Sequence, residues 1–236
     1  MAELSYKDQQ DLKNIEKIRE HLRILPRFCG EYFRSLEIRK STNTRKNYAY
    51  DLGVFFYFLK TNNPYFKDKD IHTLPIEVLD MITAMDVEEY LSYLESYTKD
   101  GKLYTNREEG KARKLSSLKS FYDYYFKKNL IRTNPPRQVD VPKIKNKNII
   151  RLDPNEIAQL LDEAESGEKL SGRQLASHEK TKVRDVAILT LLLGTGIRVS
   201  ECVGLNLEDV DFNNGAIRII RKGGNEALIY FGDEVS

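Results

Sequence analysis

Apolar residues recur at helical spacing through the first 130 positions, and alternation appears only near the end of the chain. Leu12, Ile15, Ile18, Leu22 and Leu25 form one stripe, predicting a helix over residues 11–25 that Pro26 ends or kinks. Ser41-Thr42-Asn43 is a run of N-cap residues that opens a second helix, with Tyr48, Leu52, Phe55, Phe56 and Leu59 inward and Asn62-Asn63-Pro64 as its stop. A third is predicted over residues 86–97 on Val87, Tyr90, Leu91 and Leu94. A fourth, over residues 111–129, turns Leu115, Leu118, Tyr122 and Tyr125 to one side. With no strand pattern among them, these 130 residues predict a small all-helical domain.

Beyond residue 150 the signals change. Asp153-Pro154-Asn155-Glu156 combines an N-cap, a proline suited to the first helical position and a capping box, and Ile157, Leu160, Leu161 and Ala164 supply the buried side. A hydrophilic loop is expected over residues 165–181. Residues 183–193 are apolar enough for a central helix, stopped by Gly194 and Gly196, and a short helix follows over residues 199–203. Then the period falls to two: Val210-Asp211-Phe212, a turn at Asn213-Asn214-Gly215, Ile217 and Ile219 around Arg218, a turn at residues 222–225, and Leu228 to Phe231. These make a three-stranded antiparallel unit. The predicted fold is mainly α with a small antiparallel β-sheet.

Between the two regions, residues 134–148 hold Pro135, Pro136 and Pro142 together with Arg137, Lys143, Lys145 and Lys147. So many prolines predict an extended basic linker. The net charge of +2 over 236 residues is uninformative, but its distribution is not. Residues 111–151 contain twelve Lys or Arg against Asp123 and Asp140, whereas residues 153–168 contain six acids and no base. A positive stretch of this length suits a polyanion, although composition alone leaves open a solvated helix followed by a basic tether. On the fourth helix, Arg113, Ser116, Ser117 and Ser120 are predicted to lie opposite the apolar stripe, bordered by Lys114 and Lys119. Small hydroxyls let a helix approach a phosphate backbone, and the flanking cations attract it; an ordinary surface face would read the same way.

No run of 18 apolar residues is present to span a membrane, and residues 1–10 lack the apolar core of a signal peptide. Cys29 and Cys202 are far apart and read as reduced thiols of a cytoplasmic protein. The three histidines have no metal-ligand spacing, so no metal and no cofactor are expected.

The segment richest in chemistry is Thr195-Gly196-Ile197-Arg198-Val199-Ser200-Glu201, followed 24 residues after Arg198 by Lys222 at a predicted hairpin tip. This pairing resembles the tyrosine recombinases of the phage-integrase superfamily, in which T-G-x-R-x-x-E marks the first catalytic arginine and a lysine on the next β-turn marks a second active-site member. Asn43-Thr44-Arg45-Lys46-Asn47-Tyr48-Ala49-Tyr50-Asp51-Leu52 resembles the N-T-x-x-x-Y-x-x-D-L opening of the family's core-binding domain, and residues 112–118 resemble its later DNA-facing helix. The Arg221-Lys222-Gly223-Gly224 turn is closest to Xer-type members, which resolve chromosome dimers and so serve chromosome partition; integrases of mobile elements share the same motifs.

The resemblance implies an N-terminal helix over residues 1–25, a helical (SAM-like) core-binding domain over 26–132, a basic linker over 133–149 and the N-terminal part of the α+β catalytic domain over 150–236. It implies Arg198 and Lys222 as catalytic groups, with Glu201 orienting Arg198. Thr44, Arg45, Lys46, Arg113, Lys114, Ser117, Lys119, Lys143, Lys145 and Arg221 are the expected DNA contacts. Double-stranded DNA is the implied partner, with further protomers in the tetrameric synapse of intact family members. The family also uses His-x-x-Arg, a later His or Trp, and a tyrosine nucleophile. His21, His72 and His178 are followed three residues on by Ile24, Pro75 and Thr181, and Tyr230 falls in a predicted strand, so none of these elements is matched. The expectation is a chain that ends before the nucleophile and binds DNA without cleaving it. The alternative is a non-catalytic DNA-binding regulator derived from a recombinase.

Overall fold

The computed structural model describes residues 4–144, 148, 150–221 and 224–232. The chain divides into two compact units, residues 8–146 and residues 147–236 grouped with residues 1–7. Most of the described secondary structure is helical, with two small antiparallel sheets.

The first unit contains α1 (Tyr6–Leu22), α2 (Cys29–Leu36), α3 (Thr42–Asn62), α4 (Ala84–Tyr93) and α5 (Glu108–Lys127). α3 begins where the cap residues place it, with Ser41 Oγ accepting from the Thr44 backbone N–H. From Ala49 to Leu59 it is buried on several sides at once, because α4 and α5 both pack on it. The core is strongly aromatic. Phe121 on α5 is its hub, with ring centroids 5.2 Å from Tyr32 and from Tyr125, 6.1 Å from Phe28 and 6.3 Å from Phe56. Edge-to-face geometry dominates, as the ring quadrupoles favour.

Two features of this unit depart from the sequence expectation. α2 carries only two turns, too short to show a repeating period. The unit is also not all-helical: β1 (Ser96–Lys99) and β2 (Lys102–Thr105) form an antiparallel hairpin. Its turn is Asp100-Gly101, both with positive φ (51° and 74°), the backbone that a two-residue primed turn demands and that Asp-Gly supplies at low cost. The expected helix over residues 86–97 therefore stops at Tyr93, and Tyr97 becomes a strand residue stacked between Tyr93 (5.0 Å) and its cross-strand partner Tyr104 (5.3 Å).

The linker expectation also needs correction at its start. Pro135–Gln138 forms a 3-10 turn, and Pro135, Pro136 and Val139 are buried against the first unit. Asp123 holds this turn in place, accepting from Asn134 Nδ2 (2.9 Å) and from the Arg137 guanidinium. Prolines are well suited to such a short packed turn, since they lack the N–H that burial would leave unpaired.

In the second unit α6 (Pro154–Ser166) starts at the predicted capping box, in which Asp153 Oδ1 accepts from the Asn155 and Glu156 N–H groups and Glu156 returns a bond to the Asp153 N–H. It ends at Gly167 in the left-handed region (φ 67°), where a Cβ would lie 2.9 Å from the His178 ring. The hydrophilic stretch before Val183 is not a loop: α7 (Gly172–Thr195) starts at a second capping box, Ser171 with Gln174, and runs through it. Polar residues there solvate a helix face. Then come α8 (Val199–Cys202) and the predicted sheet in the order β3 (Val210–Asp211), β4 (Ala216–Ile220), β5 (Glu226–Tyr230), antiparallel throughout. The core here is small. Ile197, Ile217 and Ile219 are buried, with Leu191, Leu192, Leu205 and Ile229 around them. Residues 183–193 are apolar enough for a central helix, yet Val183 is 79% exposed and no described residue of α6, α7 or α8 falls in the buried class.

Because Phe121 touches five other rings, Phe121→Ala is expected to cost about 3–5 kcal/mol in urea unfolding. Phe212→Ala, at an exposed position of the second unit, should stay within about 0.5 kcal/mol of the parent. Near-equal losses would mean that the aromatic hub is not where the stability resides.

Candidate active site and nucleic-acid interface

Three consecutive residues aim the candidate catalytic arginine. Thr195 Oγ1 bonds back to the Leu191 carbonyl (2.5 Å), Gly196 takes the left-handed conformation (φ 64°) that ends α7, and Ile197 inserts into the small core beneath the sheet. With Ile197 buried, Arg198 emerges in extended backbone on the outer side, its side chain 69% exposed. Glu201, only 6% exposed, grips it twice. Oε2 accepts from the Arg198 backbone N–H (2.8 Å) and Oε1 from Nη1 (2.9 Å). The carboxyl is held below its usual range, first by the backbone N–H of Arg198 and then by the guanidinium, against the opposing effect of burial; the charge of Arg221 adds a smaller contribution. Arg221 is exposed at the end of β4, where its N–H bonds to the Asn225 carbonyl (2.8 Å) and closes the hairpin. Lys222, expected at the hairpin tip, lies outside the described residues, as does Lys145.

The second constellation is on the first unit. The C-terminal end of α2, α5 and the Pro135–Gln138 turn enclose an open groove lined by Arg39, Lys40, Lys119, Lys127, Lys128 and Arg137, with Ser116 and Ser120 between the cations and Tyr48 from α3 alongside. Its one acid, Asp123, is already paired with Arg137, so five cations remain to set the sign of the field. The Asp123 carboxyl is accordingly held below its ordinary range, chiefly by that guanidinium. Arg39, Lys40, Lys127 and Lys128 were not among the residues singled out from sequence. Only the fold brings α2 and the end of α5 together, although the Lys127-Lys128 pair was visible as part of the basic stretch.

Two of the expected DNA contacts point the wrong way. Lys114 and Ser117 are 4% and 1% exposed and face the core, where they meet the buried Asp51 of α3. Ser117 Oγ reaches Asp51 Oδ2 (3.1 Å) and the Lys114 carbonyl (2.9 Å); Lys114 Nζ donates to Asn106 Oδ1 (2.8 Å) and stands 3.9 Å from Asp51 Oδ1. The apolar stripe underestimated how much of α5 is covered. Its buried arc runs from Ser117 through Phe121, Lys114, Tyr125, Leu118 and Tyr122 to Leu115, roughly 160° at about 100° per residue. A buried carboxylate needs counter-charge, and α5 supplies it from positions that looked like surface. Arg113 remains 44% exposed and bonds Asp51 Oδ2 through Nη1 at 2.5 Å.

The other expected contacts divide. Lys119 lines the groove while donating to the Val139 carbonyl (2.8 Å). Arg45 is 13% exposed and pairs with Glu37 at 3.4 Å, so it is largely occupied. Thr44 Oγ1 lies 3.1 Å from the Ser41 hydroxyl at the start of α3, Thr44 and Lys46 are half-buried, and Lys143 is exposed.

Comparison with known proteins finds similar sequences and folds. The phage integrase family model matches residues 150–236. Tyrosine recombinase XerC of Caldanaerobacter subterraneus subsp. tengcongensis is 34% identical over 215 residues, covering 89% of this chain and 55% of the relative. Tyrosine recombinase XerS of Streptococcus mutans serotype c is 32% identical over 235 residues, covering 89% and 65%. The chain thus spans between about half and two thirds of the length of these relatives. Among solved structures, the lambda integrase dimer bound to a COC′ core site aligns with a TM-score of 0.56 at 20% identity, covering 88% of this chain and 63% of that one. The Tn1549 transposon integrase in complex with circular intermediate DNA gives 0.54 at 18% identity, covering 88% and 61%. The phage integrase family is thus matched over residues 150–236, and over most of its length the chain is similar to Xer tyrosine recombinases, which it spans only in part.

The clamp on Arg198 predicts a pH response. A carboxyl whose folded pKa is depressed contributes stability that is present above the unfolded value and lost as pH falls through the folded one. The Glu201 carboxyl should therefore titrate below an ordinary glutamate when followed by carbonyl-carbon NMR. In Arg198→Ala it should still titrate low, because the backbone N–H, the larger cause, survives the substitution. Complete return to the ordinary range in that variant would mean that the guanidinium alone holds the site.

Proposed function

We propose that this chain binds double-stranded DNA through the basic groove of its first unit, and that its second unit carries the phosphate-activating part of a site-specific recombinase centre. The observation that carries this reading is the exposed Arg198 guanidinium locked to a nearly buried Glu201 in the stretch that matches the integrase family. In the reaction of this family a tyrosine attacks a DNA phosphodiester, leaving a 3′-phosphotyrosyl link and a free 5′-hydroxyl. Charge gathers on the non-bridging oxygens in the transition state. A planar, always-charged fork meets those oxygens better than an ammonium does, and it works best if its position is fixed beforehand. Glu201 supplies that fixing with one oxygen on the backbone and one on the fork. Lys222 would protonate the leaving 5′-oxygen, a general-acid contribution of roughly 10²–10⁴ in rate.

Residues 26–132 act in this reading as the core-binding domain, residues 133–149 as the basic connection and residues 150–236 as the catalytic-domain portion. DNA is the partner, in the cytoplasm, without metal or cofactor; a recombinase of this family would assemble as four protomers on two sites, in the service of chromosome partition. Residues 1–236 match neither the His-x-x-Arg element nor the tyrosine nucleophile of the family, and in this reading they bind DNA without cleaving it. Offered a suicide substrate, the chain should form no covalent adduct that survives denaturation; an adduct mapping to one of its own tyrosines would overturn the assignment.

Binding itself should be steeply salt-dependent. With about five phosphates neutralised, log affinity should fall against log salt with a slope of roughly −4 to −5. Replacing Lys119, Lys127 and Lys128 together by Gln should weaken binding to every duplex and reduce the slope by about 2–3. A flat salt plot for the parent chain would remove the DNA-binding reading.

A further inference from the structure

The buried Asp51 network uses its partners unevenly. Asp51 is 1% exposed and belongs to α3, where burial pushes its carboxyl above the ordinary range despite the cations beside it. Two cations stand on α5 within reach. Lys114 is the buried one and would be the natural counter-ion for a purely structural pair. Yet Lys114 gives its hydrogen bond to Asn106 and stays 3.9 Å from Asp51 Oδ1, an oxygen without a hydrogen-bond partner among the described residues. The short bond, 2.5 Å, goes instead to Arg113, whose side chain is nearly half in solvent. Ser117 Oγ donates to the same oxygen at 3.1 Å, giving it a second hydrogen bond beside that of the guanidinium.

A carboxylate taken out of water at considerable cost thus accepts its short hydrogen bond from an exposed partner, while the buried cation stands at ion-pair distance without a hydrogen bond to it. Stability alone does not favour that choice. It does fix the guanidinium: Nη1 is anchored in the core while the outward edge of the fork is presented at one place on α5, one turn before Ser116, which lines the basic groove.

We propose that Asp51 is a positioning residue for DNA binding: from inside the core it holds the Arg113 guanidinium in the orientation that meets a DNA phosphate. The inference rests on the reading of the first unit as DNA-binding and deepens it. It also runs against simple charge logic. Removing an acid from a DNA-binding domain should tighten binding, because the net field becomes more positive. Removing Asp51 should weaken it, because Arg113 loses its anchor and must be ordered at the moment of binding.

The test is a double-mutant cycle on the whole chain, read as fluorescence anisotropy on a labelled duplex a few helical turns long. Arg113→Ala should weaken binding and lower the salt slope by about one. Asp51→Asn should weaken binding roughly three- to tenfold in the parent and leave it unchanged in the Arg113→Ala background. Its salt slope should also drop by about one, which a merely destabilised but folded domain would not show. Lys114→Met keeps the Asp51–Arg113 bond and should bind within about twofold of the parent. If Asp51→Asn strands the Lys114 charge and fails to fold by circular dichroism, Asp51→Asn/Lys114→Met removes both charges and should show the same loss of affinity. No effect of Arg113→Ala would mean that Arg113 does not touch DNA, and the inference falls there while the groove can still bind. Tighter or unchanged binding by Asp51→Asn, with Arg113→Ala weakened, would leave the contact standing and reject the positioning role. An equal loss in both backgrounds would do the same.

Discussion

A single carboxylate inside an aromatic core governs how the first unit is put together. Asp51 sits on α3 among residues that are otherwise apolar, and its charge can be carried there only if α5 approaches with Arg113, Lys114 and Ser117 in one register. A slip of one residue would rotate α5 by about 100° and break up this trio around the carboxylate. The requirement spreads outward. Lys114, drawn inward, needs an acceptor and finds it in Asn106, which in turn donates to the Leu94 carbonyl (2.8 Å) at the end of α4. The hairpin lies between those two residues, so its root is tied to the same network. Hydrophobic burial supplies most of the driving force for this unit, but it is non-directional. The buried charge selects one arrangement from the several that a ring-rich interface would accept.

The second unit solves a different problem with fewer residues. Its core is three isoleucines and their neighbours, and one of them, Ile197, directly precedes the candidate catalytic arginine. Placing an apolar anchor immediately before the functional side chain means that the sheet, through Ile217 and Ile219, sets where Arg198 points. Gly196 makes this possible by reversing the chain at positive φ, where a side chain would strain the backbone.

Much of this was legible in the sequence, and the failures at the candidate DNA interface share a cause. Helices α3 and α5, the capping box at Asp153, the three-stranded sheet and the Arg198–Glu201 spacing follow from local rules, and the structure has them close to where those rules place them. The Asp100-Gly101 hairpin was equally local, yet the helical pattern around Tyr90 and Leu94 overrode a turn signal that should have ended it. What could not be read locally was Asp51. A lone Asp at the end of a Y-x-x-D pattern looks like one more polar helix residue, and only its burial explains why Lys114 and Ser117 face inward. The basic groove was hidden for the same reason: α2 and the end of α5 are separated by some ninety residues and meet only in the fold. Local pattern reports which positions are apolar. It does not report which polar positions a buried charge will recruit.

The two units converge on one device at the places where a phosphate is expected. Arg113 and Arg198 are each exposed, and each is tethered by a carboxylate that is itself nearly buried. A free arginine on a surface samples many rotamers, and ordering it on binding costs on the order of 0.5–1.5 kcal/mol per side chain. A buried carboxylate removes that freedom during folding, when the core's gains offset the loss. It also partly neutralises the cation, so the tether weakens long-range attraction while improving short-range fit. The groove makes the opposite choice, with several lysines largely free of acids and suited to drawing in a polyanion from a distance. Attraction without order in the groove and order with reduced attraction at the two arginines are complementary tasks. A protein that must first find a duplex and then hold one phosphate still needs both, and no single kind of basic residue performs them together.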